Sequence, residues 1–539
     1  MPRSRRVRRD PYDVLTWALL GGLAVVALVV FDDYAISNDE EVQQRYGELI
    51  LAYYASGLSD RTLFGFKNLY LYGGLFDIVA ALLGRVLPFD LYAMRHLLSA
   101  LIGIGGIAAT AATARAIAGP RAGFLAAAAL AACGVWFGGM FNHTKDVPFA
   151  AAMIGATFFL VRGAGDLPRP RPVDVAGFGL MLGAALGLRA MGLLLPAYLG
   201  LVILWRALAC EASWRGRADF VGRSALRFLP AIVLGYAVMI AAWPFAALAP
   251  LNPIRALWTF AHFHYEIRTI LAGQVYRMDA VPRWYVPAYL AIKVPLLVHA
   301  GALLALAAAI RPRPAGEALG PRRELMGLIA FLALFPVAAA AALHAPAFTG
   351  MRHFLFVVPA LAVLAGIGFD RLLVATERVG PAAATATLAG LAALFLWNAQ
   401  QLVRLHPHQY LFYNALVGGL EGASRRYEMD YWVNMIPEAV KGLAGPVGAT
   451  GARHTVGVCG ERISFEHAAR GRFQWTAGWL EADFFIAPTH MNCDRVLRGP
   501  IVFTIAREGV VIGVVQDLRG LPPHARGFAD FPPGAAVKP

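Results

Sequence analysis

Charge is scarce in this chain. Only 15% of its 539 residues are Asp, Glu, Lys or Arg, where a soluble protein of this size carries about a quarter. Cysteine is scarcer, with four in all. They form no C-x-x-C pair and no H-E-x-x-H occurs, so a structural zinc site has no support. Cys133 and Cys210 read as small buried hydrophobes. Cys459 and Cys493 fall in the C-terminal part, where an oxidising compartment permits a disulfide and two free thiols are the alternative. No small-residue cleavage site follows the first apolar run, so that run reads as an uncleaved helix rather than a signal peptide. No convincing internal repeat is visible, which weighs against a transporter or flippase built from two related halves.

What is present is hydrophobicity. The composition is 58% apolar with mean hydropathy +0.56, and apolar runs of about eighteen residues, each able to cross ~30 Å of hydrocarbon as a helix, recur along the chain. The spacing predicts about eleven transmembrane helices, near 14–31, 95–115, 121–141, 148–162, 174–189, 191–208, 227–249, 285–310, 325–344, 353–374 and 380–398. The net charge is +14, from 48 Lys and Arg against 34 Asp and Glu. Nucleic-acid binding is one reading of such a balance, but the arginines cluster in alternate connections, the positive-inside pattern of a membrane protein. MPRSRRVRRD then places the N-terminus in the cytoplasm. Eleven crossings place residues 400–539 outside. There HTVGVCG, DFFIAP, PIVFTI and GVVIGVV read as short strands, giving a small extracytoplasmic α+β C-terminal domain behind a polytopic α-helical membrane part, 1–399.

The outer loops, about 32–94 and 250–284 among them, hold more polar residues than connections need. In SNDEEVQQRYGELILAYY, Val42, Tyr46, Leu49, Ile50 and Tyr53 fall on one helical face. Asp39, Glu40, Glu41, Arg45 and Glu48 fall on the other, the pattern of a helix lying on the membrane surface. Ser37 and Glu40 fit a capping box, Glu41 complements the helix dipole, and Asp39 is left without a structural task. Lys67 sits in the aromatic segment FGFKNLYLYGG, where a lysine can simply snorkel. The turn FNHTKDVP packs Asn142, His143, Thr144, Lys145 and Asp146 between two spans. Arg189 lies at the membrane edge with no acidic neighbour in sequence. The later loop brings His262, His264, Glu266, Arg268, Arg277, Asp279 and Arg283, and GMRHF adds Arg352 and His353. His262 and His264, two apart, do not share a helix face and read as polar lining rather than a metal pair.

In their order and sidedness, these features resemble the GT-C superfamily of integral-membrane glycosyltransferases, nearest to bacterial relatives of protein O-mannosyltransferases and lipid A aminoarabinose transferases. The segment HPHQYLFYNALVGGLEGASRRYEMDYW resembles a post-membrane signature of some bacterial members. The resemblance implies transfer of a sugar from a polyprenyl-phosphate carrier to a lipid, glycan or protein acceptor on the outer face of the bacterial cytoplasmic membrane. It implies Asp39 as catalytic carboxylate with Glu40 its neighbour, and Asp146, with His143 beside it, as contact to the acceptor or a metal. Lys67, Arg189, Arg268, Arg283 and Arg352 are implied as cations for the donor phosphate. FKNLY departs from the family's lysine followed by prolines, and the D-x-D of metal-dependent oligosaccharyl members is absent, which leaves a divalent metal open. A single carboxylate base favours inversion, because the usual retaining route needs two carboxylates across the ring. A flippase, or a non-catalytic scaffold with a binding domain, is the competing expectation.

Overall fold

A computed structural model describes residues 10–262, 266–310, 321–447 and 454–527. The arginines before Asp10, His264, residues 311–320 and the residues from 528 on lie outside them. Among the described residues, eight helices are long and apolar enough to cross a membrane, and counting each of two bent helix pairs as one span gives up to 10. The shorter apolar helix Pro172–Leu186 occupies the remaining predicted position. The helices start where local chemistry allows. Asp10 accepts the Tyr12 N–H ahead of Pro11–Val30, Asp90 accepts those of Tyr92 and Ala93 ahead of Leu91–Ala118, and Ser213 caps Trp214–Ala242. In each case a side-chain oxygen satisfies amides that have no partner inside the helix.

One bent pair has an identifiable cause. Tyr285–Lys293 and Leu296–Ile310 meet at 107° where Pro295 interrupts the backbone ladder. Pro120–Ala131 and Gly134–Asn142 meet at 71°. Glycines beyond this second break let another segment come close: a Cβ on Gly134 or Gly138 would overlap the backbone of Gln409 or Tyr410. The chain that leaves the last long helix, Pro381–Arg404, therefore folds back onto the helical part.

Two sheets form at that end. A hairpin of β1 (Arg268–Leu271) and β2 (Gln274–Arg277) pairs Arg268 with Arg277. The C-terminal sheet holds β3 (Thr455–Val458), β4 (Gln474–Trp475), β5 (Phe484–Pro488), β6 (Ile501–Arg507) and β7 (Val510–Asp517) in the order β4-β3-β5-β7-β6. β3 runs parallel to β4 and β5, while β7 is antiparallel to β5 and β6. Four of these strands stand where the β-branched runs predicted them. Their inner faces, with Val456, Phe484, Ile486, Ile512 and Val515, join the same buried core as the membrane helices. Cys459 and Cys493 are bridged, with Cα atoms 6.6 Å apart. Cys133 is buried as expected, but Cys210, the last residue of Leu194–Cys210, is exposed, because the helix ends there and nothing covers its tip.

Candidate active site

Four charged side chains drawn from four distant segments meet at the end of the bundle nearest the sheet. Arg352 opens the 3-10 turn Arg352–Val357 and donates from Nη2 to Asp39 Oδ2 at 2.9 Å. Its Nε lies 3.6 Å from Asp146 Oδ2. Arg189, in the break between Pro172–Leu186 and Ala190–Leu193, donates to the other Asp146 oxygen. The result is an alternating chain, Asp39, Arg352, Asp146, Arg189. Its exposure is uneven: the Asp39 side chain is 39% exposed, against 5% for Asp146 and 12% for Arg352. Asp39 is the member open to an incoming molecule.

Asp39 owes this freedom to its position. The surface helix runs Glu40–Ala55, two residues later than a start at Ser37 would give, and Asp39 itself occupies the N-cap without a capping hydrogen bond. Half of the expected capping box is made. Glu40 Oε2 accepts the Ser37 N–H at 2.8 Å, while the Ser37 hydroxyl turns to the Asn142 carbonyl. Glu40 does not lie on a polar outer face. It is fully buried, 3.1 Å from His96 Nε2 and 3.9 Å from Arg95 Nε, because four positions on, Gln44 also faces inward to meet Arg95. Arg95 in turn donates to Asp77 at 2.9 Å. This helix is thus walled in by protein on the face carrying Glu40, Gln43, Gly47 and Ile50, with a second apolar flank of Tyr46, Leu49 and Tyr53.

The polar turn is buried throughout. Asn142, His143, Thr144, Lys145 and Asp146 are each under a tenth exposed. Each has a partner: Asn142 donates to the Ala35 carbonyl, Thr144 to Gln43, and Lys145 lies 4.6 Å from the Tyr72 ring centre. His143 Nε2 stands 2.8 Å from the Tyr431 hydroxyl. Burial pushes the His143 imidazole down to about 4, so it is neutral at physiological pH. Burial likewise lowers Lys145 and raises Tyr72 to about 12.

The remaining cations of the sequence reading do not join the chain in the same way. Lys67 is exposed, in a left-handed turn with φ 49°, and it acts electrostatically on Glu461. Burial, then Glu41 and Asp39, raise the Glu461 carboxyl, and Lys67 opposes them. Arg268 lies in the β1–β2 hairpin, and Arg283 lines a separate cavity with Tyr285 and His344. His262 is exposed and stacks on Trp258 with ring centres 4.3 Å apart, so it does not line the site.

Further side chains, given no individual role by the sequence reading, complete the site. Trp432 lies under the Arg352 guanidinium at 4.6 Å, Arg352 Nε donates to His353 at 3.3 Å, and Tyr72 sits 5.9 Å below Arg189. Arg95 and His96 head the predicted span 95–115, and two consecutive basic residues at the start of an apolar helix are a usable hint. Among the described residues, no group of three or more His, Cys, Asp or Glu is placed to hold a metal ion. Both Asp146 oxygens face guanidinium groups and His143 Nε2 faces a phenol. This donor set does not fit a divalent cation.

The architecture is a polytopic helical bundle with a chain of charged side chains at one end, packed against a small sheet. No protein-family model and no curated protein matches the sequence. In structure, the chain is similar to ArnT from Cupriavidus metallidurans in the apo state, with TM-score 0.50 and 17% identity over 93% of this chain and 97% of that one. ArnT bound to undecaprenyl phosphate matches with TM-score 0.49 and 15% identity over 93% and 98%. The Archaeoglobus fulgidus oligosaccharyltransferase in the apo form gives TM-score 0.44 and 12% identity over 86% and 65%. At such identities the likeness is one of fold.

Proposed function

We propose that the protein is an inverting glycosyltransferase. It moves a sugar from a polyprenyl-phosphate carrier to an acceptor hydroxyl on the outer face of the cytoplasmic membrane, with Asp39 as general base. The observation that carries this reading is the chain of Asp39, Arg352, Asp146 and Arg189, in which the one exposed carboxylate is held by a buried arginine. A hydroxyl attacking an anomeric carbon needs a base within about 3 Å, and a carboxylate serves. The departing polyprenyl phosphate needs no acid if cations meet its growing charge. Arg352 and Arg189 are those cations, and a guanidinium fork matches phosphate oxygens. A donor phosphate entering the chain competes for Arg352 and releases Asp39 to act as base. Asp146 then stays with Arg189 and keeps the second arginine in place.

Glu40 is assigned a structural role, because it is closed off between Arg95 and His96. Lys67, Arg268 and Arg283 stand outside this chain of ion pairs, and we assign them to anionic lipid headgroups. Residues 1–399 form the transferase part, with the N-terminus in the cytoplasm, and 400–539 the outer domain.

The test uses purified protein, radiolabelled polyprenyl-phosphate sugars and a panel of lipid, glycan and protein acceptors, comparing wild type with Asp39→Asn. Transfer by wild type and its loss in the variant is the expected result. Equal transfer by both removes Asp39 from catalysis, and solute uptake without transfer favours a transporter instead.

A further inference from the structure

The segment from His406 to Trp432, quoted above for its likeness to a post-membrane signature, is left unused by the proposed chemistry. Its end forms a tight turn. Asp430, fully buried, accepts the Asn434 N–H on one oxygen and the Met435 N–H on the other, each at 3.0 Å, and also the Tyr410 hydroxyl. Val433 is held at φ 52°, a left-handed conformation that a β-branched residue adopts only where its surroundings fix it. From this turn, contacts run into the charged chain and its supports. Asn434 Oδ1 accepts the Ala35 N–H at 2.6 Å, and the Tyr431 carbonyl accepts from Asn38 at 3.3 Å, so the segment leading to Asp39 is tied to it. The Tyr431 hydroxyl meets His143, and the Trp432 ring lies under Arg352.

We propose that Trp432 is a positioning residue of the donor-phosphate site, holding the Arg352 guanidinium while its hydrogen-bond partner changes from Asp39 to phosphate. The inference rests on the reading above. A ring face attracts a cation without taking up any of its five N–H donors. A carboxylate in the same place would occupy two of them and cancel the charge that the phosphate needs. Trp432 therefore fixes Arg352 in space and leaves it free to exchange partners. The membrane helices alone do not complete the site, because this wall comes from beyond the last span.

Native mass spectrometry of the full-length protein in nanodiscs, titrated with undecaprenyl phosphate and with undecaprenol, tests the inference. Wild type should prefer the phosphate-bearing lipid. Trp432→Leu, which keeps apolar bulk but lacks the ring, should bind undecaprenyl phosphate about tenfold more weakly and undecaprenol unchanged. Trp432→Phe should stay within about threefold of wild type, because it keeps an aromatic face. A purely structural role would weaken both lipids together and would not be rescued by phenylalanine. Wild-type affinity for undecaprenyl phosphate in Trp432→Leu overturns the inference and leaves the transferase reading standing. If wild type fails to discriminate between the two lipids, both fall. Should the leucine variant not fold, Trp432→Met against Trp432→Phe reads the same contrast.

Discussion

At the scale of single residues, the three acids of NDEE separate by environment. Asp39 keeps its carboxylate partly exposed against Arg352, Glu40 is sealed among Arg95, His96 and the Ser37 amide, and Glu41 stays on the surface. Their neighbours in sequence are nearly identical, so the difference comes from which direction the helix turns each side chain. Asp39→Asn should lower transfer by at least about 100-fold, the usual worth of a positioned base, without changing the melting temperature. Arg352→Lys should cost about as much, roughly 100-fold, because a compact ammonium lacks the planar fork that spans Asp39 and Asp146 and matches two phosphate oxygens. A steady-state comparison of donor KM and kcat checks both. The burial of Arg95 gives the opposite pattern. Arg95→Leu takes the arginine from buried Asp77 and from Glu40, which keeps His96 and the Ser37 amide, and should destabilise the protein by roughly 3–5 kcal/mol, seen as a lowered melting temperature in detergent.

Among elements, the helix Glu40–Ala55 shows what pattern reading can and cannot do. Its amphipathic repeat located it correctly. Its polar face was then assigned to solvent, yet Glu40, Gln43 and Gln44 turn inward to meet Arg95 and Thr144. A periodicity identifies a face but not whether water or protein covers it. The loop between β3 and the helix Arg462–Ala469 carries Glu461 toward the same mouth. Its carboxyl is raised by burial, Glu41 and Asp39, so the folded protein holds that proton more tightly than the unfolded chain does. The protonated form therefore favours folding below the ordinary glutamate range, and this contribution is lost as pH rises through the higher folded value. Glu461→Gln should accordingly raise the melting temperature at neutral pH and leave it unchanged near pH 4. A higher melting temperature for wild type at neutral pH would refute this.

On the whole-molecule scale, the sheet domain and the membrane helices share one apolar core, and the disulfide staples the edge of that domain nearest Glu461. Closing a loop of 34 residues restricts the unfolded chain by about 3–4 kcal/mol. Cys459→Ser should therefore loosen residues 454–527, measured as faster hydrogen exchange in β3 and β5, with little change in the spans.

The spans and the strands were legible because each is local. A run of about twenty apolar residues, or an alternating run of five, carries its own signature in consecutive positions. Even the five crowded polar residues at 142–146 announced themselves by being too many for a short turn. Which charge meets which was decided only by the tertiary structure. Asp39 and Arg352 are 313 residues apart, and Tyr431 and His143 are 288 apart. An arginine or tryptophan in a loop looks the same in sequence whether it faces water or a carboxylate. Electrostatic pairing depends on distance in space, and the packing of helices and sheet domain sets that distance.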